Sequence, residues 1–353
     1  MSAKLNIINP GMMATVQDKG RFGYQSQGIT AAGAMDLEAL RIANALVGND
    51  PYQAALEFSY FAPEFIVEEM SVRLALVGDM TAKIQPANGD EAYEVKGRQS
   101  FLMEVGDRFK PGPLNNRVYG YLAVEGGIDV PEFLGSQSTY ARSNLGGFEG
   151  RTLAPDDLLP VSSAQSIEKQ DLAVPALPDW EASQPIRVVL GPQDDYFADE
   201  QNALFLNQTY TVSRQVDRMG MRLEGEALTH IAGADIASDG IAIGSIQVPA
   251  NGLPIILLSD HQTAGGYSKI ATVISSDLPR LAHMKAGNSL TFQSVSVEEA
   301  EEILRVEENK LAALLDKMSP MKPDASQIAA KLYRSNLVSG FLDAQNPNLE
   351  ADG

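Results

Sequence analysis

Apolar positions along this chain fall mostly in short runs broken by Gly, Pro, Asn and Asp. The first, residues 5–8, ends at Asn9-Pro10-Gly11 and predicts a strand running into a turn. Similar runs at 65–67, 72–77, 117–124 and 158–161 predict more short strands. A second block repeats the pattern at 186–190, 209–212, 246–248, 255–258, 270–274 and 290–292. Strands this short and this frequent predict a barrel or sandwich in place of a βαβ repeat.

Helical periodicity is rarer. Asp36 can cap a helix carrying Leu37, Leu40, Ala43, Asn44 and Leu46, stopped by Gly48-Asn49-Asp50-Pro51. From position 297 the pattern turns helical, with apolar residues at Ala300, Ile303, Leu304, Leu311, Leu314 and Leu315. Acids lead that segment while Lys310 and Lys317 come later, which suits the helix dipole. Pro320 and Pro323 interrupt it, a weaker helix is expected over 326–335, and the last dozen or so residues read as a frayed tail. Residues 162–185, polar and acidic with Pro175, Pro178 and Pro185, are the best linker. The expected organisation is a β-rich domain over 1–165, a linker over 166–185, a β-barrel domain over 186–300 and a helical extension and tail over 301–353.

Composition narrows the function. With 353 residues there is ample core volume, and 46 acidic against 27 basic residues give a formal charge of −19. Such a surface repels phosphate backbones and anionic lipid, so neither nucleic-acid nor membrane binding is expected. The absence of cysteine excludes disulfides, thiolate zinc sites and cysteine nucleophiles. No signal peptide or membrane-spanning run is read, so a cytoplasmic protein is the default. Walker-type and dinucleotide-binding glycine loops are missing. The three histidines, His230, His261 and His283, are too scattered to predict a metal site and are expected at the surface or hydrogen-bonded. Lys285, in Ala282-His283-Met284-Lys285, faintly resembles a biotinyl-lysine but lacks the second methionine and is expected as an exposed turn lysine.

Two segments concentrate polar chemistry. Thr15-Val16-Gln17-Asp18-Lys19-Gly20-Arg21-Phe22-Gly23-Tyr24, followed by Gly33-Ala34-Met35-Asp36, gathers an amide, carboxylates, a guanidinium and a phenol in a glycine-punctuated loop. The second comprises Asp217-Arg218-Met219-Gly220, Ile246-Gln247-Val248-Pro249 and Asp260-His261-Gln262-Thr263-Ala264-Gly265-Gly266-Tyr267-Ser268-Lys269. Each fits either a polar small-molecule site or an internal network of ion pairs.

In this order, these motifs resemble the family of 5-oxoprolinase C subunits, also labelled biotin-dependent carboxyltransferase. That family is similar to the carboxyltransferase portion of urea amidolyase and includes antagonists of a sporulation kinase inhibitor. The resemblance runs from about residue 5 to about 300, with Gly126-Gly127-Ile128-Asp129 and Leu134-Gly135-Ser136 in the middle. It implies a mostly β fold of tandem cyclophilin-like β-barrels with few helices and a C-terminal helical extension. It also implies hydrolysis of 5-oxoproline to glutamate with ATP, alongside B-type and A-type partner subunits, with ATP bound in the complex and not necessarily by this chain. Alternatives are carboxyl transfer from biotin to a urea-like acceptor and a non-enzymatic antagonist.

On the first reading Arg21, Arg218 and Lys269 are expected as anion contacts, and Gln17, Gln262 and Thr263 orient polar groups of a small polar substrate. Asp18 or Asp260 positions these groups or serves as base, with Lys269 beside them as a catalytic candidate. Tyr24, Met35, Asp36, Gln247 and Tyr267 complete the expected binding set. Three departures stand out: Gln137 and His261 where the family usually has arginine, and Ala32 where serine is frequent.

Overall fold

The computed structural model describes residues 2–164, 169–178 and 184–321. Contacts divide the chain into Met1–Ser319 and Pro320–Gly353, and the helix expected over 326–335 lies outside the described residues. The first unit is mostly β, built on two curled sheets.

The first sheet runs Thr15–Gln17, Ala55–Ser59, Tyr119–Val124, Val72–Gln85, Arg108–Pro111, Glu64–Glu68, Ser2–Asn9, Leu158–Ser162. A long hairpin partner, Tyr93–Met103, pairs with Val72–Gln85 through a bulge between Val77 and Thr81. The second sheet runs Ser289–Leu290, Tyr210–Val216, Gly220–Glu224, Ile255–Leu257, Ser245–Gln247, Lys269–Val273, Ile186–Leu190, Phe292–Ser294. A separate ribbon pairs Asp235–Gly240 with Ala264–Tyr267.

Strand alternation divides the core in two. Val72, Leu74, Leu76, Leu122 and Val124 point into a cluster confined to the first sheet. Their neighbours Ala75, Val77, Tyr121 and Ala123 point the other way, into a cluster that continues through the second sheet. With both faces covered, Tyr119–Val124 is buried at every position, which explains its unbroken apolar sequence.

Helix α1, Leu37–Val47, covers the outer face of the first sheet, with Leu40, Ala43 and Leu46 buried. Asp36 caps it as predicted, its Oδ1 accepting from the Ala39 N–H at 2.9 Å, and Gly48 ends it in the left-handed region at φ 79°. Two helices were not anticipated: α2, Asp199–Asn207, which buries only Phe205, and the five-residue α3, Leu278–Ala282. Helix α4, Val297–Leu315, begins at a reciprocal capping box between Ser296 and Glu299. No described helix is long and apolar enough to cross a membrane.

The described part of the expected linker lies on the first sheet. Asp171 pairs with the buried Arg73, Lys169 reaches Glu125 at 2.7 Å, and Ala173 pairs with Gln99. Lys285 sits in the turn after α3 and donates to the Asn115 carbonyl at 3.0 Å.

Candidate functional site

The glycine-punctuated loop folds back on itself after the strand Thr15–Gln17. The Arg21 N–H donates to the Ala31 carbonyl at 2.8 Å and the Ala34 N–H to the Asp18 carbonyl at 2.9 Å. Gly20 and Gly33 face each other there. A Cβ on Gly33 would stand 2.9 Å from the Gly20 nitrogen, and φ is +95°, so the backbone approach needs glycine at this position.

Asp18 is the brace of this loop. Its Oδ1 accepts from the Gly20 N–H and the Ser136 hydroxyl, both at 2.7 Å, and from the Ser138 hydroxyl; its Oδ2 accepts from the Gln137 N–H at 2.7 Å. Gln137 spends its own amide on the Ile128 and Val130 carbonyls, at 3.1 and 2.7 Å. Arg21 is buried, with Nη2 on the Ser138 carbonyl and Nε on Phe133. Its Nη1 has no partner, and burial lowers its pKa against the pull of Asp18 and Asp260. Gln17 uses its amide N–H on Thr15 and Thr139 but leaves Oε1 unpaired.

Arg218 joins the two sheets. Its Nε and Nη2 grip Asp260 at 3.0 and 2.9 Å, Nη2 also donates to the Gly33 carbonyl at 2.7 Å, and Nη1 donates to Glu57. Glu57 further accepts from the Met35 N–H at 2.7 Å and the Tyr121 hydroxyl at 2.6 Å. Burial works against the charge on Arg218, but the carboxylates of Asp260 and Glu57 outweigh it and raise its pKa. Two carboxylates on one guanidinium leave an excess negative charge. Glu57, wholly buried, is accordingly pushed upward by desolvation despite its three donors.

The network continues through Tyr121, whose hydroxyl accepts from the Asp36 N–H at 2.8 Å, to Asp36 itself. Asp36 Oδ2 lies 2.9 Å from His283 Nε2. The Val118 and Tyr119 N–H groups donate to His283 Nδ1 at 3.3 and 3.4 Å, which places the ring hydrogen on Nε2. Glu57, Tyr121 and His283 were missed by sequence reasoning. A carboxylate inside the apolar run Ala55–Ser59 was the available signal for Glu57.

The remaining residues lie on the second half. Gln262 donates to Gln247 Oε1 at 3.2 Å, and Gln247 Nε2 is unpaired. Lys269 is buried, with Nζ on Asp239 Oδ2 at 2.7 Å and the Gly240 carbonyl at 3.3 Å. The Thr263 carbonyl accepts from Ile241 at 3.0 Å, Tyr267 is exposed on the ribbon, and Tyr24 is half-buried. The structure thus joins Met35, Asp36, Arg218 and Asp260 in one network, puts Arg21 within electrostatic reach of Asp260, and holds Lys269 on a separate clasp with Asp239.

The histidines depart from expectation in one case. His230 bonds Val248 and Ser268 at 3.1 and 3.0 Å. His261 is neither at the surface nor hydrogen-bonded: it is 4% exposed, and both ring nitrogens lack a partner. Burial lowers its pKa to about 4, Asp260 pulling the other way.

Among the described residues no group of three or more His, Asp or Glu is placed to hold a metal ion. Two cavities, of about 470 and 360 Å³, lie elsewhere: one lined by Glu38, Arg187, Arg280 and Lys310, the other by Phe61, Glu64 and Lys110. Neither is lined by any residue expected from the sequence.

The profile of the carboxyltransferase domain, subdomains A and B, matches residues 27–294. The 5-oxoprolinase C subunit of Escherichia coli (strain K12) is 38% identical over 84% of this chain and 93% of its own length. That of Haemophilus influenzae (strain ATCC 51907 / DSM 11121 / KW20 / Rd) is 34% identical, over 86% and 95%. The solved K. lactis urea amidolyase superposes with a TM-score of 0.78 at 26% identity, over 92% of this chain but only 20% of that longer one. This chain therefore belongs to the carboxyltransferase-domain family, subdomains A and B.

Proposed function

We propose that this chain is the C subunit of an ATP-dependent 5-oxoprolinase, converting 5-oxoproline, ATP and water to glutamate with A-type and B-type partner subunits. The observation that carries this reading is the relatedness to a 5-oxoprolinase C subunit over nearly the whole length of both proteins. The buried network supports it by drawing the N-terminal loop, Arg218 and Asp260 together.

Phosphorylation of the lactam oxygen makes its carbon a better electrophile. Water then adds to that carbon, the ring C–N bond breaks as the nitrogen takes a proton to leave an acyl phosphate, and a second water releases phosphate and glutamate. Arg21, through its unpaired Nη1, meets the substrate carboxylate. Gln17, Gln247, Gln262 and Thr263 orient its polar groups. Asp260, held at both oxygens by Arg218, or Asp18 positions these groups or serves as base, and Asp18 also braces the loop. Arg218 and Lys269 are each matched by carboxylates already, so the site suits a small ligand better than a triphosphate. ATP is accordingly assigned to the complex and not to these residues.

Glutamate release from 5-oxoproline and ATP, by purified A and B partners with and without this chain, tests the proposal. Release that requires all three proteins and ATP is expected. None, with the partners folded and bound to this chain, overturns it. The superposition on urea amidolyase favours a second reading, carboxyl transfer from biotin to a urea-like acceptor. Dependence on a biotinylated carrier would identify it.

A further inference from the structure

We propose that His261 reads a neutral amide-type group, an N–H beside a C=O, on the ligand and so sets the specificity of this site. The inference rests on the proposed function in taking these segments as the substrate site.

The ring stands apart from the other two histidines of the chain, both of which have partners. Its backbone is fixed, the His261 N–H donating to the Leu258 carbonyl at 3.0 Å, and the preceding Asp260 carboxylate is taken by Arg218. A buried polar atom left without a partner is destabilising, and this ring has two. It is not alone. Gln17 Oε1, Arg21 Nη1 and Gln247 Nε2 are also buried and unpaired. Gln247 holds Gln262, the residue after His261, and Arg21 feels Asp260, the residue before it. Buried unpaired atoms also occur elsewhere, on Arg41, Asn202 and Ser276, but those of Gln247 and Arg21 are tied to the residues flanking His261.

Their chemistry is specific. Desolvation keeps the His261 ring uncharged at neutral pH, so it offers one donor and one acceptor and no positive charge. A carboxylate or phosphate, acceptors only, would use the donor and leave the other nitrogen facing lone pairs. An amide supplies both complements. Gln247 Nε2 offers a second donor to the carbonyl, whose oxygen has two lone pairs. Arg21 Nη1 then remains for a carboxylate. Lactams and cyclic ureides share the N–H and C=O, and only the experiment separates them.

The test titrates the full chain, carrying ¹⁵N-labelled histidine, with three probes, alone and in complex with its partners. These are 5-oxoproline, ethyleneurea as a ureide, and tetrahydrofuran-2-carboxylate, which keeps ring size and carboxylate but lacks the amide. The His261 ring signals are expected to move and saturate with an amide-bearing probe. The carboxylate analogue should bind at least about tenfold more weakly, since its site groups stay unpaired. Tighter binding of 5-oxoproline than of ethyleneurea assigns the lactam, and the reverse assigns the ureide.

His261→Phe should abolish the discrimination while the His230 and His283 signals persist. His261→Gln, with an amide of its own, should keep part of it if the phenylalanine variant fails to fold. Binding of 5-oxoproline that leaves the His261 signals unmoved overturns the inference. So does discrimination unchanged in both variants, or no binding by any probe. Failure of the proposed activity looks different: no glutamate from the wild-type complex, with amide discrimination intact.

Discussion

The buried ion pairs of this site behave differently according to what their partners can reach. Arg218 is bound to Asp260 and Glu57, both buried. Arg218→Met would strand two carboxylates away from water, a loss of about 3–5 kcal/mol. Its melting temperature should fall steeply, together with any activity. Lys269 also bears on a carboxylate, but Asp239 is 54% exposed. Lys269→Met keeps the volume and leaves Asp239 to water, so its melting temperature should stay close to wild type. Activity of the assembled complex then decides the role of Lys269. A drop of about tenfold or more at unchanged stability makes it part of the chemistry, whereas full activity leaves it a clasp for the ribbon. Sequence alone marked Arg218, Asp260 and Lys269 as special because a dense polar run beside an apolar strand needs partners. It left open whether the partners were substrate or protein, because pairing across 161 positions, as from Arg218 to Glu57, leaves no local trace.

Elements were legible to the extent that their ends carried chemistry. α1 was bounded in sequence by Asp36 and Gly48, and α4 by its acids and apolar spacing. α2 was invisible because one buried residue, Phe205, makes no periodic stripe. The ribbon Asp235–Gly240 was equally unreadable, being exposed along nearly its whole length and so lacking alternation. What no single element shows is the pairing of α1 with α4. Arg41 grips Glu308 with two bonds of 2.7 and 2.8 Å. Glu38, one turn earlier, is pushed up to about 7 by burial and by the neighbouring Asp36 and Glu307. An acid whose pKa is raised in the folded state contributes stability below its unfolded value and loses it as pH rises through the folded one. Wild type should therefore lose stability between about pH 4.5 and about 7 through Glu38. Glu38→Gln cannot ionise and should be the more stable at pH 8 by about 1 kcal/mol, discounted for partial exposure, with the gap closing by pH 5. Thermal melts at the two pH values check it; an equal difference at both would place the effect in packing.

At the scale of the molecule, the sequence suggested two β-rich blocks; in the structure one sheet is drawn mainly from residues before 174 and the other from 186 onward. The joint between them could not be read, because its members are scattered through the chain. Apolar residues of the first sheet, Val77, Tyr119 and Tyr121, share one cluster with Ile186, Val188, Ile246 and Leu281 of the second half. Polar bonds cross the same seam, from Arg218 to Gly33 and Glu57, and from His283 to Asp36, Val118 and Tyr119. Opening this seam exposes buried carboxylates and apolar surface at once, so neither half can part from the other cheaply. Hydrogen exchange under mild denaturant should show it. The amides of Tyr121 in the first sheet and Ile256 in the second should open with the same free energy and the same denaturant slope, as one unit. His283→Leu removes the ring that joins Asp36 to the Val118 and Tyr119 N–H groups, and it should lower both together. Exchange of Ile256 by a smaller opening that leaves Tyr121 protected would mean that the second sheet unfolds by itself, and that the seam is a contact between independent domains.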